Sequence, residues 1–332
     1  MLLTHINYTY IIYLSNEANI YKKDGLKMNL VEQMQNVIEN LEITIDLGNA
    51  NYKMLVDGKR VLDSSNVEEV PTGTFGAYSV NGKSYLFGEG AAAKYTTNKI
   101  VVDKKALLGK ALYSVVEDNQ KVEITTLLPL SLYIHNQNKE RYQELLKGEY
   151  VVTNPSQYTK KFEVVEVNVC CEGFSALITR PELLKEALFL IEIGGVDLTG
   201  CFVNRTPVAS QSFASERGMN IFYTELAKVL TSKTLESYSN KDAELLYNKY
   251  EELTDDLKQV IDSFATEYIQ KYIYKKLVDI GYKKLIHKLV LVGGGAIALE
   301  RYLAQDENII ILENALWANV EGAEIIEKRR AK

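Results

Sequence analysis

The stretch ITIDLGNANYK, residues 43–53, decides the fold, because its pattern returns at residues 189–201 as FLIEIGGVDLTGC. In each copy a β-branched and apolar run ends in a carboxylate, Asp46 or Glu192. One apolar residue follows, and a glycine turn leads into a second strand-like run. After Asp46 come Leu47, Gly48, Asn49, Ala50 and Asn51; after Glu192 come Ile193, Gly194 and Gly195. Glycine permits positive φ and close backbone approach, so successive N–H groups of such a turn can point at one anionic oxygen. The adjacent carboxylate would repel phosphate directly. It is better suited to a hydrated Mg2+, which keeps several waters and bridges to phosphate oxygens. Taken singly, each copy also reads as an ordinary β-hairpin with a Gly turn. Two copies, each with an acid at the strand end, point to duplicated lobes facing one anionic ligand.

Two further elements could converge on that ligand. Residues 289–299, LVLVGGGAIAL, deliver Gly293, Gly294 and Gly295 from a buried strand to a helix start. There the backbone can lie flat against a nucleotide with N–H groups still unpaired. The run Val167–Cys171 is followed by Glu172 and Gly173. A carboxylate at a strand end beside bound phosphate can orient a water for in-line attack; a solvent-facing Glu is the plain alternative. Other nucleotide motifs are absent from the sequence. Gly195–Gly200 has the glycine spacing of a Walker A loop, but Cys201 stands where Lys is needed. No GxGxxG follows a first strand and no GxSxG elbow occurs.

Composition narrows the classes. A chain of 332 residues has room for two domains. A net charge of −6 argues against direct nucleic-acid binding by the bulk surface. The basic tail Lys328, Arg329, Arg330 and Lys332 reads as a solvated helix end. Three cysteines, Cys170, Cys171 and Cys201, make no disulfide framework and fit a reducing cytoplasm. His5, His135 and His287 are scattered and no CxxC or HExxH occurs, so zinc is not expected. The apolar segment Ile6–Leu14 is too short to span a bilayer and lacks a basic flank. Residues 1–41 read as an N-terminal extension outside the fold, with Met28 or Met34 as candidate starts.

Along the chain, Glu42–Leu47, Tyr52–Val56 and Arg60–Asp63 form a meander, the last turn being Asp57-Gly58. A hairpin is expected at Asn81-Gly82. Helices are expected over Gly90–Tyr95, Lys104–Val116, Lys139–Leu146, Pro181–Ala187, Arg217–Leu230, Ala296–Leu303 and Trp317–Arg330, with a long one over Leu253–Ile280. Strands alternate with helices after residue 120, as α/β architecture requires.

With these motifs in place, the chain resembles the actin-like ATPase superfamily of actins, sugar kinases and heat-shock chaperones. Within it, the chain is similar to the ParM-like bacterial actins that move plasmids. The phosphate-one element looks like IDLGNANYK, the first connecting element like TTLLPLSLY (125–133) and the phosphate-two element like IEIGGVDLTG. The adenosine element looks like LVLVGGGAIAL and the second connecting helix like LWANVEGAEII (316–326). Their order covers residues 42–326; DLGNAN and LPLSLY carry the ParM-like part.

The resemblance implies an α/β, actin-like ATPase fold: two related, ribonuclease-H-like lobes around a central nucleotide cleft. Lobe I is then 42–183 plus 308–332, and lobe II is 184–307. It implies catalytic roles for Glu172, which would orient the lytic water, and for Asp46 and Glu192, which would hold Mg2+ through water. Gly48, Asn49, Ala50, Asn51 and Lys53 match the first phosphate loop, and Gly194, Gly195 and Asp197 the second. Glu216, Arg217 and Gly218 fall where the family approaches the nucleoside, and Gly293–Gly295 would flank the base. Two departures stand out. Glu192 replaces the usual Asp, moving the carboxylate by about 1.5 Å. Thr199 replaces the usual late acid, while Asp197 lies two residues earlier. The implied function is hydrolysis of ATP or GTP coupled to head-to-tail filaments in the cytoplasm, away from membranes. A DNA-binding adaptor on a plasmid centromere would bridge filament and plasmid. The alternatives are a small-molecule kinase, for which Asp197 is the available base, and a non-polymerising chaperone-like ATPase.

Overall fold

The computed structural model describes residues 40–91, 98–304 and 306–330. The expected N-terminal extension lies outside the described residues, apart from Asn40 and Leu41. So does most of the expected helix Gly90–Tyr95; its first residue, Gly90, ends the 3-10 turn Gly88–Gly90.

The first sheet is built from β1 (Leu41–Asp46), β2 (Asn51–Val56), β3 (Lys59–Ser64), β4 (Val67–Val70), β5 (Tyr78–Val80), β6 (Lys83–Phe87), β7 (Gln120–Leu128), β8 (Gly148–Thr153) and β9 (Thr159–Cys171). The second contains β10 (Leu188–Ile193), β11 (Leu198–Asn204), β12 (Thr206–Ser215), β13 (Lys288–Val292) and β14 (Ile309–Ile311). The order is β3-β2-β1-β7-β9-β8-β5-β6-β4 in one and β12-β11-β10-β13-β14 in the other. The duplication seen in the sequence is therefore a duplication of topology. In each sheet three antiparallel strands are followed by two parallel ones, β7 and β9 or β13 and β14. Parallel strands covered on both faces read as unbroken apolar runs. The strand β13 (KLVLV) and the strand β10 (LFLIEI) are buried in that way.

Helices cover these faces. Helices α1 (Val102–Tyr113) and α2 (Asn136–Leu146) pack on the first sheet around Leu107, Leu108, Leu112, Tyr142 and Ile124. Helices α3 (Met219–Thr234), α4 (Asn240–Asn248) and α5 (Asp255–Tyr268) pack on the second around Phe222, Leu226, Ile261 and Ile191. The last helix, α6 (Ala318–Arg330), lies against the first sheet through Ala323, Leu127 and Cys170. Its approach to the turn Phe174–Leu177 demands glycine: a Cβ on Gly322 would lie 1.7 Å from the Ser175 carbonyl oxygen.

The long helix expected over Leu253–Ile280 is not uniform. α5 gives way to a π turn, Ile269–Tyr274, and then to the short helix Lys275–Asp279. Ile261, Ala265, Ile269, Ile273 and Leu277 are all buried and recur every four residues. An α-helix of 3.6 residues per turn would rotate that stripe off the core, and a wider π turn absorbs the drift. The expected helix Ala296–Leu303 is likewise broken, into Gly294–Ala298 and Glu300–Leu303. Pro181–Lys185 is a 3-10 turn. No described helix is long and apolar enough to cross a membrane.

Candidate nucleotide and metal site

The parallel strands of an open α/β sheet place ligands at their carboxyl ends. Here β1 ends in Asp46, β9 runs into Glu172, β10 carries Glu192 one residue before its end, and β13 runs into Gly293. These ends meet around a cleft of about 270 Å3. It is lined by Asp46, Gly48–Asn51, Lys53, Lys99, Glu172, Glu192, Gly194–Asp197 and Gly293–Gly295.

The first loop is held from behind. A Cβ on Gly48 would lie 2.3 Å from the Asn51 carbonyl oxygen, so only glycine closes this turn. Lys104 of α1, which is buried, donates to the carbonyl oxygens of Leu47 and Gly48, each at 2.8 Å. In a planar trans peptide the N–H points opposite to its carbonyl. Lys104 therefore turns the N–H groups of Gly48 and Asn49 away from itself. Burial, with the charge of Lys99, brings the Lys104 ammonium down to about 7.

The second loop is stitched to α3. The Gly194 N–H donates to Asp197 O at 2.8 Å, while the N–H groups of Met219 and Asn220 donate to the carbonyls of Gly194 and Gly195 at 3.0 and 2.7 Å. A Cβ on Gly195 would lie 2.4 Å from Ala50 Cβ, so the two glycine loops touch. The third glycine turn packs on the second: Gly293 has φ +90°, and a Cβ there would lie 2.5 Å from Ile193 O.

Between the loops sits a charge cluster. Asp46 receives Lys99 Nζ on Oδ1 at 2.9 Å and Lys53 Nζ on Oδ2 at 3.4 Å. Lys99 also pairs with Glu172. Burial pushes the Asp46 carboxyl up, but Lys99, Lys53 and Lys104 outweigh it and hold it at about 2. Glu192 has the opposite fate: burial, then the charges of Asp46 and Asp197, raise it to about 7. Burial likewise raises Asp197. Asn319 of α6 donates to Glu192 Oε1 at 2.6 Å and accepts the Gly173 N–H at 2.8 Å. Glu192 Oε2 is buried without a protein partner.

Those features fit Mg2+ and a polyphosphate. Carboxylate oxygens suit Mg2+, which is content with one or two protein ligands plus water and phosphate. Glu192 keeps an orphaned buried oxygen for such a ligand, and the glycines leave space that a side chain would fill. Among the described residues no group of three or more His, Cys, Asp or Glu could hold a metal by itself.

Glu216, Arg217 and Gly218 do not line the cleft. Arg217 pairs with Glu225 at 2.5 Å and lies 4.4 Å from the Tyr272 ring centroid, while Gly218 underlies the second loop, donating to Val196 O at 3.0 Å. The wall beyond the second loop is made instead by Met219, Asn220, Tyr223, Glu244, Ala298 and Leu316. Lys99, Lys104 and Asn319 also reach the site, through Asp46, the first glycine loop and Glu192. A separate cavity of about 200 Å3 adjoins Glu172 and Glu192, with Ser131, Thr199, Cys201 and Ser212 in its wall.

Residues 44–174 match the model of the family described as actin-like proteins, N-terminal domain. No curated protein matches the sequence. Solved structures do match its shape. An archaeal actin homolog in complex with ADP superposes with a TM-score of 0.69 at 16% identity, covering 87% of this chain and 99% of that one. The actin-like protein Alp7A gives 0.71 at 18% identity, covering 88% and 98%. A subunit of a 15-stranded ParM filament from Clostridium botulinum gives 0.65 at 20% identity, covering 88% and 100%. The chain has the actin-like fold.

Proposed function

We propose that this protein is an actin-like nucleotidase that binds ATP or GTP with Mg2+ between its glycine loops, hydrolyses it and assembles head-to-tail into filaments. The observation that carries the reading is the convergence of Asp46, Glu172 and Glu192 on one cleft whose two glycine loops meet at Ala50 and Gly195. The backbone N–H groups of the first loop, aimed by Lys104, cradle phosphate, and Lys53 adds charge. Asp46 and Glu192 would hold Mg2+ through water, and such an ion would supply positive charge to the phosphate oxygens. Glu172 orients the attacking water. Residues 220, 223 and 244 face the nucleoside.

Assembly is supported by the shared fold with filament subunits. A heterologous interface that does not close by rotation builds such a filament. On this reading the filament segregates plasmid DNA through a DNA-binding adaptor, and the net charge of −6 leaves DNA contact to that adaptor. Three buried free cysteines fit a cytoplasmic setting. Light scattering of the purified chain with ATP or GTP and Mg2+ tests the reading. A prompt nucleotide-dependent rise, with filaments in electron micrographs, is expected; a strictly monomeric protein at high concentration would sink it.

One observation favours a second reading. The cavity beside Glu172 and Glu192 has hydroxyl and carboxylate groups in its wall, as an acceptor pocket of a small-molecule kinase would. Stimulation of nucleotide turnover by small polyols or carboxylates, with a phosphorylated product, would select it over the filament.

A further inference from the structure

Lys99 is 2% exposed, yet it faces the cleft rather than the core. Its ammonium bonds Asp46 Oδ1 at 2.9 Å and pairs with Glu172, so one cation ties together two acids from different strand ends. Both acids are needed for other partners in the proposed reaction, Asp46 for the metal and Glu172 for water. A buried ammonium cannot simply leave them, because a buried charge requires a counter-charge. The lysine stem is long and flexible, and its ammonium is a compact point charge suited to phosphate. The remaining oxygen of Asp46 is already served by Lys53 at 3.4 Å, so Asp46 stays compensated when Lys99 turns away.

Resting on the nucleotidase reading, we propose that Lys99 is a ligand of the γ-phosphate: before nucleotide binds it takes the place of a divalent cation between Asp46 and Glu172, and a nucleoside triphosphate draws it off both acids. A diphosphate has no γ-phosphate to receive the ammonium. Lys99 then keeps Asp46 and Glu172 tied, and the site discriminates triphosphate from diphosphate through this one side chain.

Isothermal titration of the whole chain tests this, using Mg2+ with a non-hydrolysable ATP analogue or with ADP. Wild type, Lys99→Met and Lys99→Arg are compared. Lys99→Met is expected to weaken the triphosphate analogue at least about tenfold, as loss of a charge-assisted bond does, and ADP by less than about twofold. Lys99→Arg is expected to retain most of the preference. In nucleotide-free protein, Lys99→Met is expected to bind Mn2+ more tightly by electron paramagnetic resonance, since two acids have lost their tethered cation. Equal losses for both nucleotides, or unchanged Mn2+ binding, overturn the proposal while leaving the nucleotide cleft intact. A wild type that binds neither nucleotide overturns both. If Lys99→Met does not fold, the uncharged Lys99→Gln is read in its place. A larger change for triphosphate than for ADP then supports the proposal, and an equal change overturns it.

Discussion

The methyl group of Ala50 stands where a side chain on Gly195 would have to go, 2.4 Å from a Cβ built there. Neither loop can give way cheaply. The Gly195 carbonyl is fixed by the Asn220 N–H at 2.7 Å, and the Ala50 carbonyl by the Ser65 N–H at 2.9 Å. Gly195→Ala is therefore expected to force the loops apart and weaken ADP binding by about five- to a hundred-and-fiftyfold, the range that about 1–3 kcal/mol of overpacking implies. Ala50→Gly combined with Gly195→Ala moves the methyl group to the other loop and is expected to recover most of the affinity. Calorimetric titration of the three variants checks this; a double variant no better than Gly195→Ala removes the steric account.

Lys104 ties the first phosphate loop to α1, and its titration has a definite sign. Its ammonium lies at about 7 in the fold against an ordinary 10.5. Between those values the unfolded chain binds more protons than the folded one, so stability rises with pH across that window. The cost of burying the charge is fully present below pH 7, and the full effect is on the order of 5 kcal/mol. Chemical denaturation at several pH values should show this rise in wild type and a flatter profile in Lys104→Met. A polyphosphate would favour the charged form, so nucleotide affinity is expected to fall as pH rises above 7 in wild type more than in the variant.

The hairpins at Asp46 and Glu192 were legible in the sequence because everything that makes them is local: a period-two apolar run, an acid at its end and a glycine turn. The shared topology of the sheets follows from the same repeat. The rest of the site is made by contacts distant along the chain. Lys99 meets Asp46 across 53 positions and Asn319 meets Glu192 across 127, and a single Lys or Asn has no pattern to announce such a role. Arg217 is engaged by Glu225 and Tyr272, contacts 8 and 55 positions away that no local pattern announces. Strand β12, with Pro207 and few apolar residues, reads as loop and sits at a sheet edge, where such a strand is tolerated.

Glu192 opposes Lys104 in sign. Its carboxyl lies at about 7 in the fold against 4.5 ordinarily, so between these values the folded protein holds the extra proton. Stability from this group is present below pH 4.5 and is lost as pH rises through 7. Metal binding needs the ionised form. Loading with Mg2+ and ADP at pH 6 is therefore expected to release roughly nine tenths of a proton, at a pH where Lys104 is already mostly charged. Titrations in buffers of different ionisation enthalpy measure it. Glu192→Gln should abolish the release and most of the Mg2+ dependence, and Glu192→Asp should restore the dependence. Asn319→Ala, which removes the 2.6 Å bond that orients Glu192, should weaken Mg2+-dependent binding while sparing ADP binding without metal. Release unchanged in Glu192→Gln would assign the proton elsewhere.

On the proposed function, Glu172 should separate binding from turnover. It lies at the end of β9, its backbone N–H donates to Leu128 O at 2.8 Å, and its side chain pairs with Lys99. The strand end fixes its position where a water would need a hydrogen-bond acceptor. Glu172→Gln keeps the shape and the bond to Lys99 but loses the negative charge. It is expected to bind ATP within a few-fold of wild type, while hydrolysis slows by about a hundredfold or more, as removal of a positioned general base does. If turnover drives disassembly, filaments of this variant should persist after a fixed ATP pulse that wild-type filaments outlive only briefly. Phosphate release and light scattering followed on the same sample report both quantities. Normal phosphate release from Glu172→Gln would move the water-orienting role to another residue of the cleft.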